Sequence, residues 1–199
     1  MVKERKRRAV LNLKMVIFAF FVVACEDRTL PPAPLFDGLS LTGWRSNGDV
    51  KWLVEDGAIV GADGDGYLAS DQIFKSYRLK LEFKVHANTN SGVFVHCQDP
   101  EEISPITCFE INIWDEHPRQ EYRTGAIVTL KSPVKKIDTL GDWNYYDILV
   151  TEKIISVTLN GTRVSWLDVP NKSSGFIALQ KQNEGWARFR NITLEPIIH

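Results

Sequence analysis

Glu110, Asn112 and Trp114 alternate along "CFEINIWDEHP", residues 108–118. Spaced by two, they share one face of an extended strand, while Phe109, Ile111 and Ile113 fall on the other. The second set is ordinary core. The first joins a carboxylate that can hold or take a proton, an amide that can donate and accept, and an indole with a flat apolar surface. These are the groups that hold a pyranose: hydroxyls to the amide and carboxylate, the apolar ring face to the indole. An exposed tryptophan beside a carboxylate is an unusual way to solvate a sheet. The row is therefore expected to floor a sugar groove.

Two further segments carry matching faces. In "NSGVFVHC", residues 90–97, alternation places Asn90, Gly92, Phe94 and His96 together, opposite Val93, Val95 and Cys97. In "GFIALQKQ" it places Phe176, Ala178 and Gln180 together, opposite Ile177 and Leu179. Glu110 is thus the candidate base or sugar ligand, and His96, a rim residue or a proton carrier, is the second catalytic candidate. Asn90, Asn112, Trp114 and Gln180 are the candidate substrate-binding residues. Asp115, Glu116 and His117 stand together before Pro118, but their spacing matches no metal motif, and a surface turn is expected there. No cofactor is expected, with a divalent metal left open.

A glycosidase carboxylate pair on this strand is excluded by spacing. The residue four after Glu110 is Trp114, and Glu116 is six on. Six residues span about 20 Å of strand, whereas paired glycosidase carboxylates stand about 5–9.5 Å apart.

Strands must position these groups, since strands are nearly all the chain offers. "YRLKLEFKV" alternates Tyr77, Leu79, Leu81, Phe83 and Val85 with Arg78, Lys80, Glu82 and Lys84, a half-buried antiparallel strand with a solvated charged face. "TGAIVTL", "YYDILVT", "IISVTLNGTRV" and "ARFRNITLEPI" continue in kind. Asn160-Gly161 supplies the positive φ angles of a type I′ hairpin turn. No helical stripe longer than about two turns is present, so an all-β sandwich or jelly roll of two antiparallel sheets is expected.

The 199 residues carry a formal net charge of -1, which leaves no basic footprint for nucleic acid. Basic residues cluster only at the start, where Lys3, Arg5, Lys6, Arg7 and Arg8 precede an apolar run from Met15 to Ala24. That run falls short of the roughly 18 residues a membrane-spanning helix needs. Val22-Val23-Ala24-Cys25 resembles a bacterial lipobox, which implies a signal peptide over residues 1–24 and lipidation of Cys25. An exported protein of the cell envelope or periplasm follows, held to a membrane by its N-terminal lipid. The proline-rich stretch over residues 25–34 is expected to be a tether, followed by one domain over residues 35–199. Cys97 and Cys108 are the remaining cysteines. They flank a loop at the base of an expected hairpin, and a disulfide is expected in an oxidising compartment.

The order of motifs resembles the 3-keto-disaccharide hydrolase domain family. "LFDGLSLTGW", "WLVEDGAIVG", "NSGVFVH", "FEINIWD", "TGAIV", "GDWNYYDILV", "VTLNGTRV", "GFIALQ" and "FRNITL" run in the family's sequence from Leu35 to Ile197. The resemblance implies a concanavalin A-like jelly roll acting on sugars oxidised at C3. A C3 ketone acidifies the C2 proton, so a base can remove it and expel the C1 substituent, after which water adds to the enone. The chain departs from the family where "LQKQNEGWARF" carries no histidine and where Val128 replaces an aromatic. The alternative is a non-catalytic carbohydrate-binding lipoprotein using the same groove.

Overall fold

The computed structural model of the protein describes residues 28–169 and 174–198. The expected signal peptide and the lipidation at Cys25 lie outside those residues. Among the described residues no helix is long and apolar enough to cross a membrane.

The chain forms β1 (Arg28–Thr29), β2 (Ala33–Pro34), β3 (Trp44–Gly48), β4 (Lys51–Glu55), β5 (Ala58–Ala62), β6 (Gly66–Ser70) and β7 (Tyr77–Val85). There follow β8 (Asn90–Cys97), β9 (Phe109–Ile113), β10 (Asn144–Val150), β11 (Ile154–Leu159), β12 (Thr162–Asp168), β13 (Phe176–Gln182) and β14 (Trp186–Ile198). One short 3-10 turn, Gln120–Tyr122, interrupts the strands. Two antiparallel sheets result, as alternation implied. The larger runs β12-β11-β10-β7-β14-β5-β4, and the smaller β3-β6-β13-β8-β9. Their facing sides are apolar: Tyr77, Leu79, Leu81 and Phe83 of β7 meet Val93 and Val95 of β8 and Ile111 and Ile113 of β9 in one core. Burial on that scale is what holds a sandwich together, at about 25 cal/mol for each Å² removed from water. Asn160 and Gly161 take φ of 47° and 76°, the hairpin turn expected between β11 and β12.

Two expectations change. The stretch over residues 28–34 is not a free tether, because β1 pairs with Ile197–Ile198 and β2 with Thr193–Leu194 of β14. β5 covers that edge of β14 only from Trp186 to Phe189, leaving the rest to be filled. Leu30 and Leu35 supply the N–H groups, donating to Pro196 and Ile192 carbonyls, so the prolines lose nothing at an edge. "TGAIVTL" is not a regular strand either. It covers the edge of β9 irregularly: Gly125 N–H donates to Asn112, Asn112 N–H to Ala126, and Val128 N–H to Glu110. Gly125, at φ 91°, turns the chain out of a continuous ladder.

Candidate functional site

The outer face of the smaller sheet is polar where four strands meet. Register places Tyr67 opposite Gln180, Gln180 opposite Gly92, and Gly92 opposite Asn112, with Glu110 beside Phe94 in the next row. Side chains of this face surround a hollow of about 230 Å³. Glu110, Asn112 and Gln180 form its floor, and Tyr67, Asn90 and Gln182 one side. Pro105, His117 and Val128 close the other. The alternation of β8, β9 and β13 therefore brings together Asn90, Glu110, Asn112 and Gln180 as expected.

Glu110 dominates the electrostatics. It is only 5% exposed, and burial pushes its carboxyl up to about 8. Gly92 makes room for this: a side chain there would begin 3.3 Å from Glu110 Oε1 and 3.4 Å from Gln180 Oε1. Gln180 Oε1 is buried with no hydrogen-bond partner among the described residues. An unpartnered buried acceptor costs stability unless something at the site satisfies it. Asn90 Nδ2 donates to Gln182 Oε1 at 3.2 Å, and Gln182 Nε2 reaches Tyr67 Oη at 3.4 Å. Burial holds the Tyr67 phenol above its ordinary value, so at neutral pH it is a proton donor.

Asn112 has a part beyond the one expected of it. Its Nδ2 donates to the Tyr122 carbonyl, and its Oδ1 accepts from Ile113 N–H at 3.0 Å. One amide N–H thus fixes the 120s loop, so Asn112 holds a wall of the hollow as well as lining it.

His96 is not on this face. Its φ is 55°, and four residues of β8, Phe94 to Cys97, stand against three of β13, Ala178 to Phe176. This β-bulge resets the alternation. His96 turns toward the other sheet, 6.1 Å from the Phe109 ring, with Nε2 3.3 Å from the Thr151 carbonyl oxygen. It cannot exchange a proton with a ligand above Glu110. The same bulge swings Cys97 out to join Phe94, Phe176 and Cys108 in a small second cluster, not Val93 and Val95. There Cys97 and Cys108 form the expected disulfide, closing the loop that delivers Pro105 to the hollow.

Trp114 stands just past the end of β9 and lines a neighbouring hollow of about 340 Å³ with Asn88, Glu116, Asn183 and Glu184. His117, expected only as part of a surface turn, is the residue alternation missed. The chain turns back after Trp114, and His117 Nδ1 is held by the Arg119 backbone, 3.0 Å from its nitrogen and 2.9 Å from its carbonyl oxygen. The Trp114–Pro118 turn was the available signal, since a turn at a strand end returns side chains toward the sheet. Asp115 points inward instead, accepting from Thr139 N–H at 2.5 Å and lying 3.5 Å from Arg123. Asp115, Glu116 and His117 therefore do not converge, and no group of three metal-ligating side chains occurs among the described residues.

Comparison with known proteins agrees with this frame. Residues 31–195 match a family described as the 3-keto-alpha-glucoside-1,2-lyase-like domain. A 3-keto-disaccharide hydrolase of Bacteroides thetaiotaomicron is 37% identical over 78 residues, covering 33% of this chain and 27% of that protein. The matched stretch is thus about a quarter of that relative's length. A crystal structure of a candidate glycosyl hydrolase from Parabacteroides distasonis superposes with a TM-score of 0.72 at 27% identity, over 83% of this chain and 98% of that one. A carbohydrate-binding module from Bacillus subtilis shares the fold, with a TM-score of 0.57 at 14% identity over 75% and 93% of the two chains.

Proposed function

Because the chain belongs to the 3-keto-alpha-glucoside-1,2-lyase-like domain family, we propose that it is a carbohydrate-active enzyme cleaving 3-keto glycosides or disaccharides. The observation that carries this is Glu110, a buried carboxyl raised to about 8 on the floor of a polar hollow. General bases work best with a pKa near the operating pH. At pH 7 about a tenth of such a group is ionised, and each ionised carboxylate is far more basic than an exposed one.

The proposed sequence begins when the Glu110 carboxylate takes the C2 proton of the bound 3-keto sugar. The electron pair moves toward the C3 carbonyl, whose developing negative charge needs a donor. Tyr67, held in its protonated form, is a hydrogen-bond donor lining the same hollow. Collapse of the enolate breaks the C1–O bond and forms a C1=C2 double bond, and the departing alkoxide takes a proton. Water then adds at C1, with a proton returning to C2, to give the free 3-keto sugar. The net change is one glycosidic bond exchanged for one water.

The test is direct incubation with a 3-keto disaccharide and its unoxidised counterpart. Release of monosaccharide from the first alone supports the proposal. A non-catalytic sugar-binding domain is the second reading, favoured by one observation: His96, expected as a second proton carrier, faces away from the hollow. Sugar binding without release would decide for it.

We propose too that the domain is exported and held to a membrane by lipid on Cys25. The Cys97–Cys108 bond supports an oxidising compartment. Replacing Cys25 by Ser should move the protein from the membrane to the soluble fraction, and unchanged retention would reject the anchor.

A further inference from the structure

We infer that the protein carries a second carbohydrate site, for acidic saccharides, on the outer face of the larger sheet. This is the side of the sandwich opposite the Glu110 hollow, and it stands independently of the proposed reaction. Alternation along β7 turns Lys84 outward, and register sets Arg188 of β14 beside it. On the other flank Asn144 pairs with Phe83, so Trp143 arrives next to Lys84. Trp186 opens β14. Lys84, Trp143, Trp186 and Arg188 together line a hollow of about 300 Å³.

Its composition is selective. Two indoles and two cations line it, and no carboxylate does. Neither indole belongs to the apolar core. Each is instead braced by an arginine: the Arg190 guanidinium lies 3.9 Å from the Trp143 ring centroid, and that of Arg188 5.7 Å from Trp186. Glu82 and Glu55 pair with Arg190 and Arg188 from outside the hollow. Lys84 joins no ion pair among the described residues. An ammonium that joins no ion pair, lining the same concavity as two indoles, matches a sugar that stacks its apolar face on indole and presents an anion to the lysine. A lipid surface would match indoles that protrude, whereas these line a concavity.

Calorimetric titration of the full chain with trigalacturonate, and with its methyl ester as the uncharged counterpart, tests this. The expected result is saturable binding of the acid, weakened by about tenfold or more in the ester. Lys84→Glu and Trp186→Ala should each weaken the acid by about tenfold, while Lys84→Arg and Glu110→Gln leave it unchanged. Lys84 lies at the surface, so its variants should fold, and a thermal melt confirms this. Several results would overturn the site: no saturable binding of the acid, equal binding of acid and ester, or indifference to Lys84→Glu. So would binding lost through Trp114→Ala, which places the ligand in the other groove, or binding confined to anionic vesicles.

Discussion

The imidazole of His117 stands 4.7 Å, centroid to centroid, from the indole of Trp114, edge against face. His117 lines the hollow over Glu110, and Trp114 lines its larger neighbour, so one pair of rings joins two cavities. Two adjoining hollows suit a substrate of two units, the reacting sugar over Glu110 and the departing one against Trp114. Trp114→Ala should weaken binding of a 3-keto disaccharide by about tenfold and that of a 3-keto monosaccharide by much less. Paired calorimetric titrations give the comparison. Equal losses for both ligands would place Trp114 outside the second subsite.

Asn112→Ala should be felt first in stability. The change strips the Tyr122 carbonyl of its partner, at a cost of about 1–3 kcal/mol. Tyr122 packs 5.6 Å from His117, so the wall of the hollow should loosen with it. Denaturant unfolding measures the first effect. A variant as stable as the wild type, yet weakened in sugar binding, would make Asn112 a direct ligand instead.

The Cys97–Cys108 bond closes a loop of 11-residue separation. Losing that closure should cost about 2–3 kcal/mol. Reduction should also release Pro105 from the hollow and lower turnover. Thiol titration of denatured, unreduced protein should find neither cysteine reactive. Identical melting of reduced and oxidised protein would show that the bond contributes nothing to the fold.

Glu110 makes stability depend on pH. Its folded value of about 8 lies above the ordinary 4.5, so the folded state holds the proton more tightly. That contribution is fully present below about pH 4.5 and is lost as pH rises through 8. Relative to Glu110→Gln, the wild type should lose up to about 1.4 kcal/mol per pH unit across this window and level off above it. Denaturation series at several pH values would show the divergence. Parallel curves for the two proteins would mean that the carboxyl is not perturbed.

Period-two alternation made the strand faces legible in the sequence, and with them Glu110, Gln180 and Asn90. It failed where the backbone leaves that period. The bulge at His96 reverses the histidine and Cys97, and alternation contains no sign of an inserted residue. β9 ends at Ile113, so Trp114 follows the turn and sits in the neighbouring hollow. Tyr67 reaches the site only through the pairing of β6 with β13, which no local pattern encodes, and His117 through the turn that follows β9. The docking of residues 28–34 depends on how far β5 extends along β14, again a property of the assembled sheet. Trp143, Lys84 and Trp186 were likewise unremarkable until three strands placed them side by side.

The central claim is that Glu110 is the base, and the pH profile of kcat/KM for wild type and Glu110→Gln on a 3-keto disaccharide tests it most directly. The wild-type rate should climb with pH and level off near the value of about 8 held by the buried carboxyl. Glu110→Gln keeps the shape and hydrogen-bonding reach of the side chain but cannot accept the C2 proton. Its rate should fall by about 10²–10⁴ and lose the rising limb, while affinity for the substrate stays close to wild type. A Glu110→Gln protein with wild-type turnover and an unchanged pH profile would contradict the account.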